Sequence, residues 1–398
     1  MIDLDHNAGT ALDARVAQAM AELLVREDLG NPSSLHRRGQ AARAVVERAR
    51  RRVAAAVDAE PLEVTFTSGG TEADALAVLG CGRALRRTDK PCAVVTSPLE
   101  HPAVLGAARQ LAREGHSVGM VRPDAVGRIT AEAVSAALAE TPDVGLVSLA
   151  AANHELGNAY DVASFAAVVR DAAPDAVLHT DAVQALGRVA VSRSAWNVDL
   201  LSISAHKIGG PRGIGALVHS KAADVDPLFG AGHHERGRRP GTEAVLLIHG
   251  FGLAAELAAA ERESSSRHTR ALRQRLVDGI SALGGRTHGD PEAHVGNTVT
   301  AAFDGVDGHL LMIGLDLEGI AVSTGAACDA GSAQPSAVLL ALGHPDDAAA
   351  SVRLSLSPRS TAADIDAVLE TLPRLLARQR AAQSRGTQAA HRGGAVAS

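Results

Sequence analysis

Along the first two thirds of the chain, short apolar runs alternate with longer Ala-, Arg- and Leu-containing segments of helical period. The runs at residues 64–67, 93–96, 144–150, 177–179, 200–204 and 215–219 read as strands, those at 144–150 and 177–179 as buried ones. Such strands separated by helices predict βαβ units and a mostly parallel sheet. Beyond about residue 246 the pattern changes. A long Ala/Glu/Arg segment over 252–283 predicts one long helix, and apolar runs follow at 298–303, 310–315 and 352–356 with helices between and after them. That reads as a smaller α+β domain. The expected division is a large domain over 12–255, a small α+β domain from 1–11 and 256–378, and a flexible tail over 379–398, where no apolar period remains.

Composition narrows the class. Of 398 residues, 46% are hydrophobic and 21% charged, with a net charge of -6, which excludes disorder as the main state. Aromatic residues make up 2%, too few for the stacking platforms of single-strand nucleic-acid binders. The acidic balance also argues against a phosphate-backbone footprint, so no direct nucleic-acid partner is expected. No apolar run reaches about 18 residues, and the opening MIDLDHNAGT carries acids where a signal peptide has its apolar core. The expectation is a cytoplasmic protein with no membrane span. Three cysteines, Cys81, Cys92 and Cys328, show no paired spacing, hence neither a disulfide framework nor a metal pattern. Lysines are also few: Lys90, Lys207 and Lys221 are the only ones, which shortens the search for a reactive amine.

Four segments carry candidate chemistry. Ser68, Gly69, Gly70 and Thr71 lie between a strand and a helix; a Gly pair there lets backbone approach an anion, and the helix start adds N–H donors. An ordinary glycine-containing turn has the same sequence, and no Lys follows to make a Walker loop. Asp181 closes an apolar strand, where open α/β sheets place ligand contacts, but it also reads as a helix cap. Lys207 follows Ser204, Ala205 and His206 and precedes a Gly/Pro-rich stretch, a setting for imine formation or for a solvated surface amine. Cys328 sits among Gly, Ala, Asp and Ser, unlike a core thiol, whereas Cys81 lies in a helical run. A phosphate cradle, a strand-end Asp, an imine-forming Lys and a separate Cys together are the parts of a pyridoxal-phosphate enzyme acting on a sulfur amino acid.

Nine motifs carry a family resemblance over most of the chain: DLDHNAGT (3–10), GNPSSLHRRGQ (30–40), FTSGGTEA (66–73), LEHPAV (99–104), ANHELG (152–157), HTDAVQALG (179–187), SAHKIGGPRGIGAL (204–217), ERGRRPGTEAV (235–245) and STGAACDAGS (323–332). The chain resembles the cysteine desulfurases of the NifS/IscS type, in the class V aminotransferase superfamily. The resemblance implies the α/β fold of type I pyridoxal-phosphate transferases, with a seven-stranded type of sheet in the large domain. It implies Lys207 as the covalent anchor of pyridoxal 5'-phosphate, His101 stacked on the ring, Asp181 at the ring nitrogen and Gln184 at the phenolic oxygen. Gly70, Thr71, Ser204 and His206 would hold the phosphate, with Thr242 supplied by a second copy in a homodimer. Asn153 and Arg353 would bind the carboxylate of L-cysteine. Cys328 would take the sulfur as a persulfide, leaving alanine, and pass it to an acceptor protein or iron–sulfur scaffold, a tRNA-thiolation or DNA-phosphorothioation system, or a biosynthetic carrier. A selenocysteine lyase, a C–S lyase or an amino-acid epimerase of the same superfamily is the competing reading; these need no persulfide-bearing Cys. Departures from the family pattern fall at Gly9, Asp74, His154, His234, Pro240 and Ala326, and none removes a named catalytic group.

Overall fold

The protein was examined as a computed structural model that describes residues 1–230, 232–325 and 334–394. Among these the strands are β1 (Ile2–Asp3), β2 (Val64–Thr67), β3 (Ala93–Thr96), β4 (Val118–Met120), β5 (Val144–Ser148), β6 (Val177–Asp181), β7 (Leu200–Ser204), β8 (Gly215–His219), β9 (Arg286–His288), β10 (Thr298–Ala302), β11 (Ile320–Ala321) and β12 (Ser351–Ser355). Seven form one sheet in the order β2-β8-β7-β6-β5-β3-β4. The β3, β4, β5, β6 and β7 pairings are parallel, and β8 runs against both neighbours. This is the mostly parallel α/β sheet that the apolar runs predict. β2, β3, β7 and β8 are buried at every position, because helices cover both faces.

One face of the sheet packs Val95, Val147, Leu201 and Ile203 against Phe165, Phe251 and their neighbours; the other packs Val94, Leu146, Leu200 and Leu217 against Leu76 and Leu111. A separate core, with Leu276, Ile280, Val299, Phe303, Leu354 and Leu372, lies over the antiparallel sheet β12-β10-β9. The helix Val245–Ala282 joins the two. Its early residues Ile248 and Phe251 belong to the first core and Leu272, Leu276 and Ile280 to the second. It touches the helix Arg37–Ala56 closely, since a Cβ on Gly252 would stand 2.6 Å from Ala49 Cα.

Two expectations need correction. The apolar run at 310–315 is not a strand: it lies in the helix Gly308–Leu317, capped by the Asp307 carboxylate, which accepts from Leu310 N–H at 2.8 Å. Leu311 and Leu315, one helical turn apart, are its buried face. Residues 379–394 are also helical, as the end of the helix Ala362–Gly394. Ala, Gln and Arg are strong helix formers and carry the helix past its last core residue, Leu376.

Candidate active site

The C-terminal ends of the parallel strands deliver the site, as open α/β sheets do. The ends of β2, β3, β5, β6 and β7 lead to Gly70 and Thr71, to His101, to His154, to Asp181, and to His206 and Lys207. All of these, with Gln184 and Arg353, line one cleft of about 470 Å³. Arg353 arrives from β12, across the cleft from the large sheet.

Lys207 ends a short 3-10 turn, Ala205–Lys207. Its Nζ donates to the carbonyls of Asn7 at 2.5 Å and Ala8 at 3.0 Å. The N-terminal segment is stapled to this turn, because Thr10 Oγ1 donates to His206 O at 2.8 Å and accepts from Gly209 N–H at 2.7 Å. Gln184 Nε2 shares the Asn7 carbonyl at 3.1 Å, and its Oε1 accepts from Arg188 at 2.5 Å.

His101 is the N-cap of the helix Pro102–Arg113, with proline at the first position, where a missing N–H costs least. Its Nδ1 accepts from Ala103 N–H at 3.1 Å, which puts the ring proton of the neutral form on Nε2. Burial, then the charges of Lys207 and Arg353, press its pKa down to about 4. His206 is pressed to about 4 by burial and by Lys207 and Arg212, and its Nδ1 meets Ser204 Oγ at 2.8 Å.

Buried acids surround Asp181. Its Oδ1 accepts from Val183 N–H at 2.8 Å. Burial pushes its pKa up to about 6 against the opposing pull of that N–H and of Lys207. Asp74 is 1% exposed, and burial with the Asp181 charge holds it well above the carboxylate range. Glu100 is pushed by burial up to about 8. Beneath them, His179 is clasped by Ser148 Oγ at 2.8 Å and Ser202 Oγ at 2.9 Å, and burial takes it down to about 3.

Some expected residues stand elsewhere. The Asn153 side chain does not line the cleft: its Nδ2 donates to Leu99 O at 2.9 Å, and its Oδ1 accepts from Glu155 and Leu156 N–H. It shapes the turn that carries His154. Ser204 is buried behind His206. Thr242 is exposed and outside the cleft of its own chain. Cys328 lies outside the described residues. The motif reading passed over Arg212, which lines the cleft, and Glu72, whose carboxylate accepts from Ser68 N–H at 2.7 Å.

The donor set fits a phosphorylated pyridine aldehyde. A Cβ on Gly70 would stand 2.9 Å from Val183 Cγ2, so only glycine brings backbone to that wall. Arg353 lines the cleft and is held there by donating to His154 O at 3.1 Å and to Asp5 Oδ1 at 3.0 Å. Sheet and cleft together define a pyridoxal-phosphate enzyme of fold type I.

The comparisons agree. Residues 2–368 match the family model Aminotransferase class-V. A cysteine desulfurase of Cereibacter sphaeroides is 43% identical over 390 residues, covering 97% of this chain and 98% of the relative. The cysteine desulfurase NifS of Azotobacter vinelandii is 38% identical over 381 residues, 95% of this chain and 93% of that one. A solved NifS-like protein superposes with a TM-score of 0.88 at 32% identity, covering 94% of this chain and 99% of its own. The chain belongs to the aminotransferase class-V family, among its NifS/IscS-type members, and its cofactor is pyridoxal 5'-phosphate.

Proposed function

We propose that the chain is an L-cysteine desulfurase, converting L-cysteine to L-alanine and moving the sulfur onto Cys328 as a persulfide. The observation that carries this is the convergence of Lys207, Asp181, His101 and Arg353 in one cleft. The names of the relatives support it. When bound, pyridoxal 5'-phosphate supplies an electron sink beside the substrate α-carbon.

Each residue then has a task. Lys207 Nζ leaves the Asn7 and Ala8 carbonyls to anchor the cofactor. Asp181, buried and ionised above about 6, holds the positive ring nitrogen. Gly70, Thr71, Ser204 and His206 serve the phosphate. Arg353 takes the substrate carboxylate from the cleft wall, with Asn153 acting on the turn that carries His154. His101, neutral and protonated at Nε2, stands where a proton can be given to or taken from substrate. Thiolate is the attacking form of Cys328.

The working unit we propose is a cytoplasmic homodimer. Thr242 then completes the neighbouring site, and the exposed Leu24, Val25, Leu35 and Phe229 offer apolar surface for contact. A sulfur-acceptor protein is the onward partner. No described helix is long and apolar enough to cross a membrane. The test is alanine release from L-cysteine under reducing conditions. Cys328→Ser should bind the cofactor yet release no alanine; wild-type output from that variant would overturn the persulfide route in favour of a lyase.

A further inference from the structure

The cradle contains an acid that a phosphate site should avoid. Glu72 directly follows Thr71 and lines the cleft. Its Oε2 accepts from Ser68 N–H at 2.7 Å, so the carboxylate is built into the turn that approaches the phosphate. Its Oε1 accepts from Arg239 Nε at 2.9 Å, and that arginine belongs to the RRPGT segment at 238–242. The Glu72 carboxyl stays below its ordinary range despite burial, held there by Arg239 and by the Ser68 N–H.

The root of that segment is fixed independently. Glu235 is 6% exposed and takes two bonds from Arg50, at 2.7 and 2.8 Å, and one from Phe66 N–H at 2.9 Å. Phe66 lies in β2, the strand that leads into the cradle. Glu235 and Arg236 hold left-handed backbone, φ 46° and 57°, unusual for residues with a Cβ, and the bonds to Arg50 and Phe66 fix Glu235 in that conformation. The segment is therefore anchored at its start to β2 and at Arg239 to the cradle.

We propose that Arg239 is a positioning residue for the phosphate cradle: it turns and neutralises Glu72, so that the Ser68 turn keeps its shape without presenting an unpaired carboxylate to the phosphate. This rests on the cofactor reading above. Arg239 acts through Glu72 and needs no contact with the cofactor. Removing it leaves a bare negative charge beside a dianion, whereas removing both partners leaves none.

The test is equilibrium binding to the cofactor-free full-length chain, followed by fluorescence quenching, with pyridoxal 5'-phosphate and with unphosphorylated pyridoxal. Arg239→Gln should raise Kd for the phosphorylated probe about tenfold and leave pyridoxal within about twofold. Glu72→Gln should have a smaller effect. The Glu72→Gln/Arg239→Gln pair should return to the Glu72→Gln value, a non-additivity that general loosening does not produce. Arg239→Lys, which keeps the charge, should recover most of the affinity. An unchanged Kd in Arg239→Gln, equal losses for both probes, or additive losses in the double variant would each overturn the proposal. A wild-type chain that binds neither probe would overturn the cofactor reading and this inference with it.

Discussion

At one end of the cleft, Ser68 and Thr71 are exposed and His206 and Lys207 half-buried, on turns made of small residues. At the other, Asp181 and Asp74 line the cleft with Glu100 and His179 behind its lining; all four are buried and their pKa values stand away from the ordinary range. The first end offers backbone and hydroxyl donors, which serve an anion that keeps most of its hydration until it binds. The second is a low-dielectric pocket in which the Val183 N–H and the Lys207 field favour the Asp181 charge, while burial raises the pKa of Asp74 and Glu100. One end is built to retain a ligand and the other to polarise it.

The largest expected effect lies where the two ends meet. Lys207→Ala should abolish the link that borohydride traps and lower alanine formation by about 10³-fold or more. Peptide mapping that placed the trapped cofactor on Lys90 or Lys221 would break the assignment. Next comes the split between the ends. Asp181→Asn should lower kcat by about 10²-fold with modest change in cofactor Kd. Thr71→Ala should raise Kd about tenfold, one charge-assisted hydrogen bond, with kcat at saturating cofactor nearly unchanged. Matching effects in the two variants would erase the distinction.

Stability sharpens it further. With Glu100 raised to about 8, the unfolded chain releases this proton near pH 4.5 while the native chain keeps it, so stability falls as pH rises between those values. Glu100→Gln should remove that slope and gain about 4 kcal/mol at pH 8, read by urea unfolding across pH. His101 and His206 act in the opposite sense: their native pKa values near 4 lie below the ordinary 6.5, so stability is lost as pH falls through that interval. The smallest effect concerns Cys81, whose thiol burial pushes up to about 12. It should resist alkylation at neutral pH, and Cys81→Ser should turn over within about twofold of the parent.

Sequence and structure agree best where function needs a local motif. The strand ends, the glycine pair and the Ser-Ala-His-Lys turn are short-range features, readable without knowing what packs on them. The buried acid end is not, because Asp74, Glu100 and Asp181 come from separate segments and acquire their properties from burial. Asn153, assigned to the substrate by the family resemblance, has its amide engaged by Leu99, Glu155 and Leu156, contacts that a short motif does not display. The Glu72–Arg239 pair spans 167 positions, beyond the reach of any spacing rule. The run at 310–315 is the familiar ambiguity of a short apolar segment, settled by the Asp307 cap on one side and a core on one face.

The helix Val245–Ala282 has a consequence for how this protein can be divided. At 38 residues it is about 57 Å long, and it contributes side chains to two cores at opposite ends. A cut at residue 255 falls inside it, so neither piece keeps the whole helix, and the large-domain piece would also lose Arg353 from the cleft. The same helix packs on the helix Arg37–Ala56, whose Arg50 pairs with Glu235 at the root of the segment that carries Arg239, so one continuous element joins both cores to the outer support of the cradle.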